Sequence, residues 1–540
     1  MQKRQKHRDN RLSNLALWYG AFLLAAALVL ANTVAATYGL DNLNMVQAFN
    51  LDEARYVLKM KVSLQQASLD PDLFYSYGNL YDSVAYYCIT FLEHFGWTIN
   101  TPLVGFVLRL ISLLSSVATF LSLAVFGRIF GLSRGLAAVT SLAFLSMPDF
   151  VRFSAMMHPD TLQMFFVVAG LGSAFARPDF GGALVGALFA GLAFSTKYIG
   201  AVVLPFCFLP YALSKLANED LTIRNVLRLF WPGLAMIGIF LLVFALTNPY
   251  AAADFHGFIN SFRSQLKYSS TGHGVVEPAN PLLWLPPLVN EFGITGVIYL
   301  FGGLLLSFGL AIAGLRRAGW RAVCGDSWAR NEIILLLYLS LTLAHLAISI
   351  HEREARFLYH VAPFLMVLSS SAIVRTIGLI KSKFVRSWAS PAVALLLLIF
   401  CLGQIGFDLR TQAAASARPA SEHIEFGSAI AQQYPPETKI LADAYTYLPP
   451  IMRNVTYTNV LTEELIDRLA PDLIVINRGA TGGYVWKAPG SKLPDRKLVR
   501  DDRFQAAPQV VALLDKLLSD SSGWTVVREN DFEALLQRRK

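Results

Sequence analysis

The sequence predicts an α-helical polytopic membrane protein of about eleven transmembrane helices, followed by a small C-terminal extracytoplasmic α/β domain. Three observations carry this prediction. The 540 residues are 54% hydrophobic and only 15% charged, with a mean hydropathy of +0.46, a composition rare in a soluble chain of this size. Apolar runs of the length needed to cross a hydrocarbon core of roughly 30 Å recur between Leu15 and Phe407. Lys and Arg gather in alternate short loops between these runs, which marks a fixed orientation. The net charge of +9 therefore reports topology, and no nucleic-acid partner is expected.

Met1 to Ser13 holds Lys3, Arg4, Lys6, Arg8 and Arg11, which keeps the N-terminus in the cytoplasm. The first helix, Leu15 to Tyr38, is too long for a signal-peptide core and is read as retained. Gly39 to Thr101 then lies outside. Its pieces Asp52 to Leu64 and Leu80 to Phe95 have the pattern of amphipathic helices lying along the surface. The second helix runs from Pro102 to Phe126, and Arg128 and Arg134 mark an inside loop. The third runs from Gly135 to Met147, a short outside turn follows to Asp160, and the fourth ends near Ala176. Arg177 is inside. The fifth and sixth fill Gly181 to Leu213 and meet outside at Ser195-Thr196-Lys197-Tyr198. Lys215 to Arg228 is inside, the seventh helix ends at Asn248-Pro249, and a long outside loop spans Tyr250 to Glu291. The eighth helix covers Phe292 to Leu315, before the basic inside loop of Arg316, Arg317, Arg321 and Arg330. The ninth ends near Ile350, and His351 to Arg356 is outside. The tenth reaches Val374, above Arg375, Lys381, Lys383 and Arg386. The eleventh, Trp388 to Phe407, brings the chain out.

Two domains are expected, residues 1–407 in the membrane and 408–540 outside it, with Asp408 to Pro419 as linker. Strand-length apolar runs at Lys439–Ala444, Leu473–Ile476 and Trp524–Val527 alternate with helical patterns at Ser421–Gln433 and Ala507–Leu518. The cysteines Cys88, Cys207, Cys324 and Cys401 are far apart, with no metal, redox or disulfide spacing. No internal repeat divides the apolar segments into matching halves, which weighs against a transporter built from repeats.

Chemistry-bearing residues return to the outer face in clusters. These are Asp52-Glu53 with Arg55 and Tyr56; Tyr75, Tyr77, Tyr81, Asp82, Tyr86 and Tyr87; Met157-His158-Pro159-Asp160; Lys197-Tyr198; and His351 to Arg356, which includes Arg353. His256, Arg263, Lys267, Tyr268 and His273 add a further loop. Each has a plain structural explanation. Tyrosines favour membrane interfaces, lysines snorkel from helix ends, and the last cluster can satisfy its own charges. Together they fit a site for a substrate with a lipid tail and a polar head. A carboxylate takes a proton from a hydroxyl, Lys and Arg hold a departing phosphate, and aromatic rings stack on a sugar. A flippase or transporter of a lipid-linked sugar would share the aromatic and cationic clusters, but not the carboxylates crowded on one outer face.

The motifs and their order resemble the GT-C glycosyltransferases, in particular the protein O-mannosyltransferases and the bacterial lipid A aminoarabinose transferases. An Asp52-Glu53 pair follows the first helix, Tyr77-Gly-x-Leu-Tyr81 precedes the second, and Arg109 lies within it. Pro159-Asp160 opens the fourth, Thr196-Lys197-Tyr198 joins the fifth and sixth, and Glu352 to Phe357 precedes the tenth. The resemblance covers about Leu15 to Phe407 and implies a multi-pass protein of the bacterial inner membrane. It implies a polyprenyl-phosphate sugar donor, a lipid, glycan or protein acceptor, and transfer with inversion on the outer face. It gives Asp52 the role of catalytic base with Glu53 beside it, and puts Asp160 in the site. Lys197 with Arg353 or Arg356 would then face the donor phosphate, and Tyr56, Tyr77, Tyr81, His158 and Tyr198 the substrate. The aminoarabinose transferases bind a metal through a glutamate before the second helix, where this chain reads Gly78-Asn79-Leu80. No cofactor is assigned, and a divalent metal stays open.

Overall fold

The computed structural model describes residues 2–49, 51–70, 77–218, 222–271, 280–350, 354–380, 382–443, 446–458, 461–477, 484–485, 497–498, 508–517, 523–530 and 533–539. Among the described residues, seven helices are long and apolar enough to cross a membrane: Asn14–Ala35, Thr101–Ile129, Tyr198–Asn218, Ile223–Thr247, Pro281–Gly325, Ser327–Ser349 and Trp388–Gly406. An eighth segment is broken, with Arg134–Leu145 and Pro148–Ser154 meeting at 78°. Shorter apolar helices, Asp160–Ala176, Phe180–Thr196 and Ala362–Gly378, stand where the fourth, fifth and tenth are expected.

Local chemistry sets the boundaries. Asn100, Asp179 and Asp326 each accept a hydrogen bond from a first-turn N–H and so cap the helices that follow them. Pro148 cannot continue the Arg134–Leu145 helix but suits the first turn of the next, so the span breaks there. The sequence reading made 147–160 a simple turn; half of it is this second helix. Asp160–Ala176 and Phe180–Thr196 pack closely because Gly170 and Gly186 carry no side chain at the contact: a Cβ on Gly170 would meet Phe189 at 3.2 Å. The stretch between the first two spans folds into the helices Leu43–Phe49, Leu51–Gln66 and Leu80–His94, so helices stand at both places where amphipathic ones are expected.

The segment expected as linker is the middle of one helix, Lys383–Gln433, which runs from the last apolar span into the C-terminal region. That region holds β1 (Ile440–Asp443), β2 (Val455–Thr458), β3 (Leu473–Asn477), β4 (Tyr484–Val485), β5 (Lys497–Leu498), β6 (Trp524–Glu529) and β7 (Glu533–Arg538). Five strands form a sheet in the order β2-β1-β3-β7-β6, parallel across β2, β1 and β3 and antiparallel beyond. Alternation along β1 sends Leu441 to one face, against Leu513 and Leu514, and Ile440 and Ala442 to the other, against Phe426 and Ile430. The expected α/β domain is therefore present. It rests on the Leu43–Phe49 helix: Asn44 Nδ2 donates to the Leu448 carbonyl at 2.8 Å, and Met45 and Ala48 pack on Tyr447.

Candidate active site

Adjacent helical residues point about 100° apart, and the Leu51–Gln66 helix separates its two acids accordingly. Asp52 is exposed, whereas Glu53 is buried. Glu53 accepts hydrogen bonds from Arg109 Nε at 2.9 Å, Arg109 Nη2 at 2.7 Å and the Met157 N–H at 2.7 Å. Arg109 also donates to the carbonyls of Ala36 at 3.1 Å and Tyr38 at 2.6 Å. One buried ion pair thus ties the end of the first span to the Leu51–Gln66 helix, the Thr101–Ile129 helix and the loop before Asp160. The sequence reading set Glu53 beside Asp52 as a second catalytic acid. In the structure its oxygens are engaged by the protein itself.

Tyr56 follows Asp52 by four residues, so the two share one helix face. The Tyr56 ring lies 6.4 Å from the His158 ring and 5.6 Å from that of Tyr81. Asp52 therefore stands one turn along the helix from Tyr56, whose ring borders a buried polar cluster centred on His158 and Asp160. His158 Nδ1 is 2.9 Å from Asp160 Oδ2, and Lys197 Nζ is 2.6 Å from Asp160 Oδ1. Arg356 Nη1 is 3.4 Å from His158 Nε2, and Arg356 also pairs with Glu354. Aromatic rings wall the cluster. Tyr77 and Phe153 lie 5.8 and 5.1 Å from His158. The Lys197 ammonium is 5.3 Å from the Tyr77 ring, and the Arg356 guanidinium 5.7 Å from Phe357, both in cation–π range. Burial holds the His158 imidazole below its ordinary range, although the charge of Asp160 works in the other direction. The Lys197 and Arg356 side chains stay 15% and 14% exposed, so both cations can still meet an anion from outside.

The backbone around the cluster is fixed by several bonds. Gln163 Nε2 donates to the Lys197 carbonyl at 2.8 Å, and the Tyr198 hydroxyl to the Tyr77 carbonyl at 3.0 Å. Tyr81 Oη donates to the Leu108 carbonyl at 2.7 Å, and Ser112 Oγ to the His158 carbonyl at 3.0 Å. A Cβ on Gly78 would lie 1.9 Å from the Ser195 carbonyl oxygen, so only glycine lets Tyr77 settle over Lys197. Arg353, Tyr75 and His273 fall outside the described residues, while His256 and Arg263 are exposed on the Phe255–Thr271 helix. Tyr87 is 66% exposed and takes no part.

The sequence reading missed a neighbouring acidic pair. Asp149 accepts from the Tyr359 hydroxyl at 3.2 Å, pairs with Arg152 at 2.7 Å, and its N–H donates to Glu291 at 3.2 Å. The available signal was Pro148-Asp149, which repeats the Pro159-Asp160 pattern of a helix start. Among the described residues no three His, Cys, Asp or Glu side chains are placed to hold a metal ion. Where the resemblance puts a metal-binding glutamate, Asn79 instead donates to the Leu69 carbonyl at 2.9 Å and accepts from Lys59 at 3.3 Å. That place does not fit a metal site.

No protein-family model matches the sequence, and no curated protein matches it. Solved structures do match the fold, which is of the GT-C type. ArnT from Cupriavidus metallidurans bound to undecaprenyl phosphate is 15% identical, with a TM-score of 0.54 over 96% of this chain and 98% of that one. The archaeal oligosaccharyltransferase AglB from Archaeoglobus fulgidus, in complex with an inhibitory peptide and a dolichol-phosphate, is 14% identical. Its TM-score is 0.51 over 89% of this chain and 74% of that one. At these identities the likeness is one of fold.

Proposed function

We propose that this chain is a membrane glycosyltransferase, moving a sugar from a polyprenyl-phosphate donor to an acceptor hydroxyl with inversion. One observation carries the reading: Lys197 and Arg356, each partly exposed, border a buried His158–Asp160 cluster, and the Tyr56 ring beside that cluster lies one helical turn along from Asp52. The fold supports it, since ArnT and AglB were solved with polyprenyl and dolichol phosphates bound. Asp52 takes the proton of the acceptor hydroxyl as that oxygen attacks the anomeric carbon. The bond from that carbon to the phosphate oxygen breaks, and its electron pair leaves with the polyprenyl phosphate. Lys197 and Arg356 neutralise the charge that gathers there. Attack opposite the leaving group inverts the anomeric centre. Glu53 and Arg109 hold the Asp52 helix in place. Tyr56, Tyr77 and Tyr81 line the sugar's approach, with Tyr198 behind Tyr77, and Asp160 draws Lys197 into position. The reaction belongs on the extracytoplasmic face of a bacterial inner membrane, and the acceptor is a lipid, glycan or protein hydroxyl.

The test is affinity for undecaprenyl phosphate on purified protein. A charge-assisted contact is worth about 1.5–3 kcal/mol, so Lys197→Ala and Arg356→Ala should each weaken binding roughly ten- to a hundredfold. Unchanged affinity in both variants would take them out of the site.

A further inference from the structure

We infer that Tyr56, Lys59 and Asp82 form the subsite for the donor's sugar ring, on the far side of Tyr56 from Lys197 and Arg356. This rests on the glycosyltransferase reading and gives the donor's second half its own contacts. Asp52, Tyr56 and Lys59 fall at i, i+4 and i+7 of the Leu51–Gln66 helix, one stripe about 10 Å long. Opposite them the Leu80–His94 helix presents Tyr81 and Asp82 in its first turn. Asp82 is 5% exposed and pairs with Lys59 through Oδ2. Its other oxygen, Oδ1, is buried and has no hydrogen-bond partner among the described residues. The Tyr56 hydroxyl is buried and unpartnered in the same way.

Buried polar atoms are nearly always bonded, and one carboxylate oxygen and one phenol left over at neighbouring positions need an explanation. A lone structural ion pair leaves both unexplained. A ring of hydroxyls accounts for them. Each sugar hydroxyl donates one hydrogen bond and accepts others. Asp82 Oδ1 can only accept, Lys59 Nζ only donate, and the Tyr56 hydroxyl does either. Burial first, and nearby acidic groups including Asp82, hold that phenol well above its ordinary range, so it keeps its proton to donate. The position fits the order of the donor, because the Tyr56 ring touches His158, which Arg356 reaches. Sugar subsite and base would thus share one face of the Leu51–Gln66 helix, with the phosphate held beside it by Lys197 and Arg356. Asp52, at the exposed end, is left for the acceptor.

The experiment measures displacement of labelled undecaprenyl phosphate from the full-length protein by two competitors. One is the polyprenyl-linked sugar fraction of the source membranes. The other is unlabelled undecaprenyl phosphate, which carries no sugar. Wild type should bind the sugar-bearing fraction more tightly. Tyr56→Phe and Asp82→Asn should lose about ten- to a hundredfold of that advantage, with undecaprenyl phosphate affinity kept. Tyr56→Phe removes a hydroxyl that has no hydrogen-bond partner among the described residues, so its melting temperature should hold or rise. Equal loss for both competitors, no loss for either, or an effect confined to acceptor KM would each overturn the subsite. Failure of wild type to bind undecaprenyl phosphate at all would strike the glycosyltransferase reading instead.

Discussion

Arg109 is a charge inside an apolar helix, and its position is accounted for by what it holds. Replacing it with methionine leaves Glu53 buried without its counter-ion and frees two carbonyls. Breaking a buried pair from one side costs about 3–5 kcal/mol, so Arg109→Met should lower the melting temperature of the detergent-solubilised protein far more than Arg55→Met on the exposed surface. Equal melting temperatures would contradict the clamp. An arginine in a Val-Leu-Arg-Leu run is a visible signal in sequence. Its partner was not legible, because two adjacent acids were available and only the phase of the Leu51–Gln66 helix decides between them. A second residue gives a pH effect. Burial, and then the charge of Lys197, lower the His360 imidazole from 6.5 to about 4. The folded pKa lies below the unfolded one, so His360 contributes its full share of stability above pH about 6.5. That share is lost as the pH falls towards 4, by about 3 kcal/mol in all. His360→Phe should flatten this part of the stability profile between pH 7 and 4; an identical slope in both proteins would refute the assignment.

At the scale of elements, the site depends on backbone meeting backbone. Any Cβ on Gly78 collides with the end of the Phe180–Thr196 helix, and no flexible side chain is there to give way. Gly78→Ala should displace Tyr77 from Lys197 and reduce both thermal stability and undecaprenyl phosphate affinity by about tenfold or more; unchanged affinity would show that the Tyr77 segment is dispensable. The apolar helices were legible because about 20 residues without charge have few alternatives in a membrane. The break at Pro148 was less so, since Ser146-Met147-Pro148 reads equally as the end of a helix or as a joint within one. In the C-terminal domain, β1, β3 and β6 stood out as apolar runs of strand length. β7 did not, because Glu-Ala-Leu-Leu-Gln-Arg favours helix by intrinsic propensity. It becomes a strand because Ala534, Leu535 and Leu536 are buried between the two apolar layers. The expected linker at 408–419 is helical for a related reason: Ala-rich sequence without Gly continues a helix as readily as it ends one.

Across the whole molecule, the C-terminal domain and the Asp52 helix belong to one end of the bundle, joined through Asn44, Met45, Ala48 and Tyr447. With Cys88 replaced by serine, single cysteines at Arg55, Arg317 and Lys516 should react with a membrane-impermeant thiol reagent in intact spheroplasts only at the first and third. Labelling at Arg317 alone would invert the topology. The clusters His158–Asp160, Lys197–Tyr198 and Arg356 were legible as pieces. Their convergence was not, because it depends on the packing of spans distant in sequence. The central claim is that Asp52 is the base of a sugar transfer, with Glu53 in a supporting place. The most direct measurement is sugar transfer by purified protein given a membrane lipid extract as donor and acceptor, comparing wild type with Asp52→Asn and Glu53→Gln. An aligned base contributes about 10²–10⁴-fold. Asp52→Asn should therefore lose at least about a hundredfold in turnover with undecaprenyl phosphate affinity intact, while Glu53→Gln loses mainly stability. Near-normal turnover in Asp52→Asn would contradict the account.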